Sequence, residues 1–113
     1  MASEECWLVS AGHVLASAER AEGRRAKARG LLGRTGIDGA LVISGCRWVH
    51  TIGMRFAIDV AYLDEAGVVR KTTRMKPHRI GLPVRCARTV VEGEAGAFSR
   101  WGLKVGDQVE IRQ

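Results

Sequence analysis

What most constrains this chain is a hairpin that can be read directly from its residues: Ala57 to Leu63 (AIDVAYL), then Asp64-Glu-Ala-Gly67, then Val68 to Thr73 (VVRKTT). Two β-branched arms around a turn-forming tetrad predict paired antiparallel strands. Side chains alternate between the faces of a strand, so Ile58, Val60 and Tyr62 share one face. Ala57, Asp59, Ala61 and Leu63 share the other. Asp59 thus stands among small and apolar neighbours, where a carboxylate without partners would cost several kcal/mol. The expected partners are loop backbone donors, an arginine or a histidine. A structural latch and a ligand-binding or catalytic carboxylate both fit that placement.

Similar short segments recur along the chain. Cys6 to Val9 and His13 to Ala16 flank a turn at Ser10-Ala11-Gly12, and Ala40 to Ile43, Cys46 to Ile52 and Cys86 to Glu92 read as further strands. The segment from Gly93 to Arg100 reads as a loop or helical turn. A last alternating strand follows the turn at Gly106-Asp107. Ser17 can cap a helix running to about Leu32, with Gly33 as its stop. The 113 residues form a single domain, 1–113. The pattern predicts a mostly β protein, a small antiparallel β-sandwich or distorted barrel with one α-helix in the N-terminal region.

The richest chemistry lies between Cys46 and Leu63, CRWVHTIGMRFAIDVAYL. On a regular strand Cys46 and His50 lie ~13 Å apart, too far for a nucleophile pair unless a bulge at Gly45 or Gly53 folds the strand back. The soft and imidazole ligands are Cys6, Cys46, His50, Met54, His78 and Cys86. None forms a C-x-x-C or H-x-x-x-H pair, so no metal or other cofactor is expected. Arginine is the stronger theme. Arg55 and Arg79 could converge with His50 on an anion, because guanidinium forks suit carboxylate and phosphate. Alternatively, Arg55 pairs with Asp59 or Glu92 as a structural salt bridge.

The net charge is +6, from 18 basic and 12 acidic residues. Between Ala66 and Val91 there is no acid, yet Arg70, Lys71, Arg74, Lys76, Arg79, Arg85 and Arg88 all occur there. Such a field suits an anionic metabolite, an acidic protein surface or nucleic acid, or simply keeps the surface solvated. No aromatic interrupts the basic run, as single-strand binders require, and no nucleic-acid-binding motif appears. The start, MASEECWLVSAG, has glutamates where an export signal needs positive charge, and the three cysteines are odd in number. Both lead to the expectation of a cytoplasmic protein without membrane association.

Four stretches carry a family resemblance: ARGLLGR (28–34), VHTIGMRFAIDVAYLDEAGVV (49–69), KPHRI (76–80) and TVVEGEAGAFSRWGLKVGDQVEI (89–111). In order and spacing the chain resembles the bacterial and archaeal family called domain of unknown function 192. The resemblance implies a compact, mostly β sandwich or barrel with a helix near its N-terminus, and no reaction. Relatives usually carry proline at Ala57 and an aromatic at His78. A sister branch lacks the histidine at position 50 while keeping the aspartate, which speaks against His50 as a universal catalytic base. The reading that follows is a non-enzymatic binding module for an anionic small molecule or acidic partner segment. His50, Arg55 and Arg79 would be the anion contacts, and Asp59 would orient a basic group. The alternatives are a hydrolase or lyase using His50 and Asp59 as an acid–base pair, and a basic nucleic-acid accessory protein.

Overall fold

A computed structural model describes residues 3–21 and 35–113. Seven strands form one sheet: β1 (Ser3–Ser10), β2 (His13–Ala21), β3 (Ala40–Ser44), β4 (Ile58–Leu63), β5 (Val69–Met75), β6 (Thr89–Glu94) and β7 (Val109–Arg112). Their spatial order is β5-β4-β6-β3-β2-β1-β7. Five pairings are antiparallel, and β2 with β3 is parallel. The single described helix, α1 (Ala97–Trp101), follows β6.

The protein is therefore mostly β, but its sheet is mixed, and it is one open sheet instead of a closed barrel. The sheet curls until its edges touch at one end. There Val68 bridges Gln108, and Val69 exchanges backbone hydrogen bonds with Gly106 and Asp107 at 2.9 Å each. Val69 and Val109, from the two edge strands, consequently share one inner core with Leu8, Val42, Ala61, Val91 and Phe98. The opposite, outer face carries Leu41, Ile43, Ile58, Val60, Tyr62 and Val90. The loops 45–57 and 76–88 cover it, contributing Val49, Met54 and Ala87.

The hairpin expectation is met: β4 and β5 pair from Ile58 with Met75 to Leu63 with Val69, with an irregularity after Tyr62. Asp64 makes the turn, because its Oδ1 accepts from the N–H groups of Ala66 and Val68. Two expectations need correction. The helix placed from Ser17 does not begin there, because Ser17 to Ala21 continue β2, paired with β1 on one side and β3 on the other. Small alanines fit either period, and burial of Ala18 beside Cys6 and Ala40 decides for the strand. The rest of that expected helix, 22–34, lies outside the described residues. The strand expected over Cys46 to Ile52 is a loop whose sheet-like pairing is an isolated bridge between His50 and Ile80. Gly45 and Gly53, at φ 72° and 84°, turn the backbone out of extended geometry at either end.

Candidate functional site

The alternation on β5 puts Lys71, Thr73 and Met75 on the outer face, opposite Tyr62, Val60 and Ile58 of β4. The loop after Met75 is then drawn back over that face by Thr51, which is fully buried. Thr51 Oγ1 donates to the Lys76 carbonyl at 2.6 Å and accepts from the Arg79 N–H at 2.9 Å. Its backbone N–H donates to the Arg79 carbonyl, and its carbonyl accepts from the His78 N–H, both at 2.8 Å. One threonine thus ties the two covering loops together. His78 sits in this tether with φ 64°, a conformation disfavoured for a side chain with a Cβ, and its Nδ1 accepts from the Gly53 N–H.

Between the edge of β5 and the tethered loop lies a cleft of about 430 Å³. Its walls include the cations Lys71, Arg74, Lys76 and Arg79, with Tyr62 at the sheet and Ile80 and Leu82 at the lip. Among the described residues no carboxylate lines it. Gly81 passes so close to the sheet that a Cβ there would stand 3.5 Å from the Tyr62 hydroxyl and 2.9 Å from the Val49 carbonyl. Arg79 Nη1 donates to the Pro77 and His78 carbonyls at 3.2 and 3.4 Å, which curls its guanidinium over its own loop. Among the described residues Lys71, Lys76 and Arg79 make no ion pair. Arg74 does: its Nε donates to Asp59 Oδ1 at 2.9 Å. A larger hollow of about 730 Å³ lies at the β1–β2 turn, but its described lining residues include the acids Asp107 and Glu110 and no basic side chain.

Asp59 belongs to the inner face, as the alternation requires, and not to the cleft. Its Oδ2 accepts from the N–H groups of Gly96 and Phe98 at 2.9 and 3.2 Å. These donors open α1, whose first N–H groups have no partners within the helix. A carboxylate there also meets the positive end of the peptide dipoles. The carboxylate is consequently sealed by two amides and one guanidinium. The sequence-predicted residues are therefore divided. Arg79 lines the cleft, and Asp59 reaches it only through Arg74. His50 is exposed on the neighbouring loop, bridged to Ile80, with its ring 5.7 Å from that of Trp48 and its Nδ1 accepting from the Ile52 N–H. Arg55 is exposed and pairs with neither Asp59 nor Glu92.

Two buried titratable groups lie on the outer face beside this region. Glu92 of β6 stands between Leu41 and Val60, and burial pushes its carboxyl up to about 7. Burial also raises the Tyr62 hydroxyl, and Cys46 and Glu92 add to that effect through their charges. Sequence reasoning missed the roles of Thr51, Lys71 and Tyr62. The β4–β5 alternation would have shown that Lys71 and Tyr62 share a face. No local signal marks Thr51, whose partners are 25 and 28 residues away.

A curled mixed sheet with two loops stapled across its outer face defines a small β-domain, and the chain belongs to an uncharacterised family of such domains. Residues 7–111 match the family described as DUF192, "Uncharacterized ACR". A "UPF0127 protein" of Pyrococcus furiosus is 40% identical over 62 residues, covering 55% of this chain and 53% of that protein. The corresponding protein of Pyrococcus abyssi is 37% identical over the same shares. The chain spans about half the length of these curated relatives. Among solved structures, a protein of unknown function from Novosphingobium aromaticivorans is similar with a TM-score of 0.78 at 18% identity, covering 96% of this chain and 84% of that one. A Sinorhizobium meliloti protein described as a candidate transcription regulator gives 0.79 at 24% identity, covering 97% and 94%. At such identities the likeness is one of fold.

Proposed function

We propose that this chain is a non-enzymatic binding module whose cleft takes an anionic small molecule or an acidic segment of a partner protein. One observation carries the reading: Lys71, Lys76 and Arg79 surround one cleft without a carboxylate among its described lining residues. A fourth cation, Arg74, is already oriented by Asp59. Cations gathered without counter-charges raise the local potential and lower the cost of bringing an anion to them. The buried Thr51 holds the loop that supplies two of these cations, so part of the ordering cost is met before a ligand arrives. His50 stands on the adjoining loop, within reach of ligands that extend past Ile80. The acid–base reading draws less support, because no hydrogen bond joins His50 to Asp59, whose oxygens are engaged by three donors. The odd cysteine count keeps the cytoplasm as the proposed location.

The test is thermal unfolding with citrate, pyrophosphate and polyglutamate, followed by calorimetry. A ligand at a hundred times its Kd adds ~2.7 kcal/mol of stability. The combined Lys71→Gln, Lys76→Gln and Arg79→Gln variant is expected to fold and to lose that stabilisation. Equal stabilisation of variant and parent, or none in either, would overturn the proposal.

A further inference from the structure

The cleft has a property that a site for a small anion does not need. Its walls include Lys71, Thr73 and Met75 from the outer face of β5 and Arg74 from the inner face. A hollow lined from both faces of a strand lies at the strand's edge, so this one opens onto the β5 backbone. β5 is the terminal strand of the sheet, paired with β4 on one side. On its other side, among the described residues, Val69 is joined to Gly106 and Asp107, and no such bond engages Arg70 to Met75. An unpaired edge of that length, ~20 Å at strand rise, is a template for another strand.

The side chains along this edge select the kind of strand. Arg70 and Arg74 pair with Asp64 and Asp59. Lys71 and Lys76 make no ion pair among the described residues and repel a second copy of this basic edge, which guards against self-pairing. They attract an acidic segment. Ile80 and Leu82 at the lip are 69% and 75% exposed, an apolar surface that a purely polar anion would leave unmatched. A flat anionic membrane would meet the same charges and apolar tips, but it offers no backbone groups to the edge.

We infer that the occupant is an extended acidic peptide segment that adds to the free edge of β5 as a further strand. Its carboxylates meet Lys71, Lys76 and Arg79, and an apolar side chain packs on Ile80 and Leu82. This rests on the anion-binding reading of the cleft and names its ligand class. Main-chain hydrogen bonds would supply affinity, and the cationic and apolar walls would supply selectivity.

The experiment uses the intact protein and a short capped peptide alternating glutamate and valine. Two further versions are N-methylated at its odd or its even positions. Citrate and phosphatidylglycerol vesicles are the other probes. The expected result is saturable binding of the parent peptide and slowed amide exchange along Arg70 to Met75. One N-methylated version should bind at least ~10-fold more weakly, the equivalent of one or two hydrogen bonds. If all three peptides bind alike and citrate displaces them, strand addition is overturned while the anion cleft stands. If neither the peptides nor citrate bind, both fall. Vesicle binding without peptide binding also overturns the inference, in favour of a membrane surface.

Discussion

Asp59 and Phe98 lie 39 residues apart in sequence and are joined by a 3.2 Å hydrogen bond from the Phe98 N–H to Oδ2. The same oxygen accepts from the Gly96 N–H at 2.9 Å, so a carboxylate on β4 caps a five-residue helix that has no side-chain cap of its own. Asp59→Ala would leave both amides without their acceptor in a largely buried place. The expected loss is about 3 kcal/mol, read as a lower urea midpoint with little change in slope. Arg74→Ala should cost no more than about 1 kcal/mol, because that partner is 60% exposed. Equal losses for the two variants would show that the ion pair matters and the cap does not.

Gly93 explains how that helix comes so close. A Cβ at this position would lie 2.9 Å from Trp101 Cη2 and 3.3 Å from Ala97 Cβ. On the inner face Gly93 pairs with Asp59 on one side and Ala40 on the other, so α1 rests on the bare backbone of β6 beside its capping carboxylate. Gly93→Val should cost roughly 1–3 kcal/mol by overpacking and lift α1 from Asp59. The check is faster exchange at the Gly96 and Phe98 amides than in the parent.

These two residues show how much was legible in the sequence. Alternation alone put Asp59 on the face of Ala61 and Leu63 and required that it be partnered. The identity of the partners was not legible, because two of them are backbone N–H groups of a segment 37 and 39 residues on. The β4–β5 hairpin could be read because its turn and both arms are contiguous. The cleft could not, because it exists only where the sheet order leaves β5 at an edge and where Thr51 pulls a distant loop across. The basic run announced the cations without saying which of them meet. Ser17 to Ala21 misled because alanine permits either period, and the deciding neighbours, Cys6 and Ala40, lie in other strands.

Thr51→Val tests the staple separately from the charges. The substitution keeps the shape and removes the hydroxyl that serves the Lys76 carbonyl and the Arg79 N–H. The loss should be about 1–3 kcal/mol, because a buried donor and acceptor are left unpaired. Exchange should quicken at Arg79, while the amides of β4 and β6 keep their relative protection. Uniform quickening across the sheet would show instead that the two loops do not open as a local unit.

The last prediction concerns pH and follows from Glu92, whose carboxyl is raised by burial from 4.5 to about 7. A raised value means that the folded chain holds a proton which the unfolded chain releases between those limits. Stability from this group is therefore greatest below about pH 4.5. It declines as the pH rises toward 7 and levels off above it. At ~1.4 kcal/mol per unit the full span is on the order of 3 kcal/mol. Glu92→Gln keeps a neutral polar group between Leu41 and Val60 at every pH. It should remove this decline and leave the variant more stable than the parent at pH 8, by up to about 3 kcal/mol. The measurement is urea unfolding of both proteins at pH 5 and pH 8. Parallel stability curves would mean that Glu92 titrates normally in the folded chain and that the outer core admits its charge.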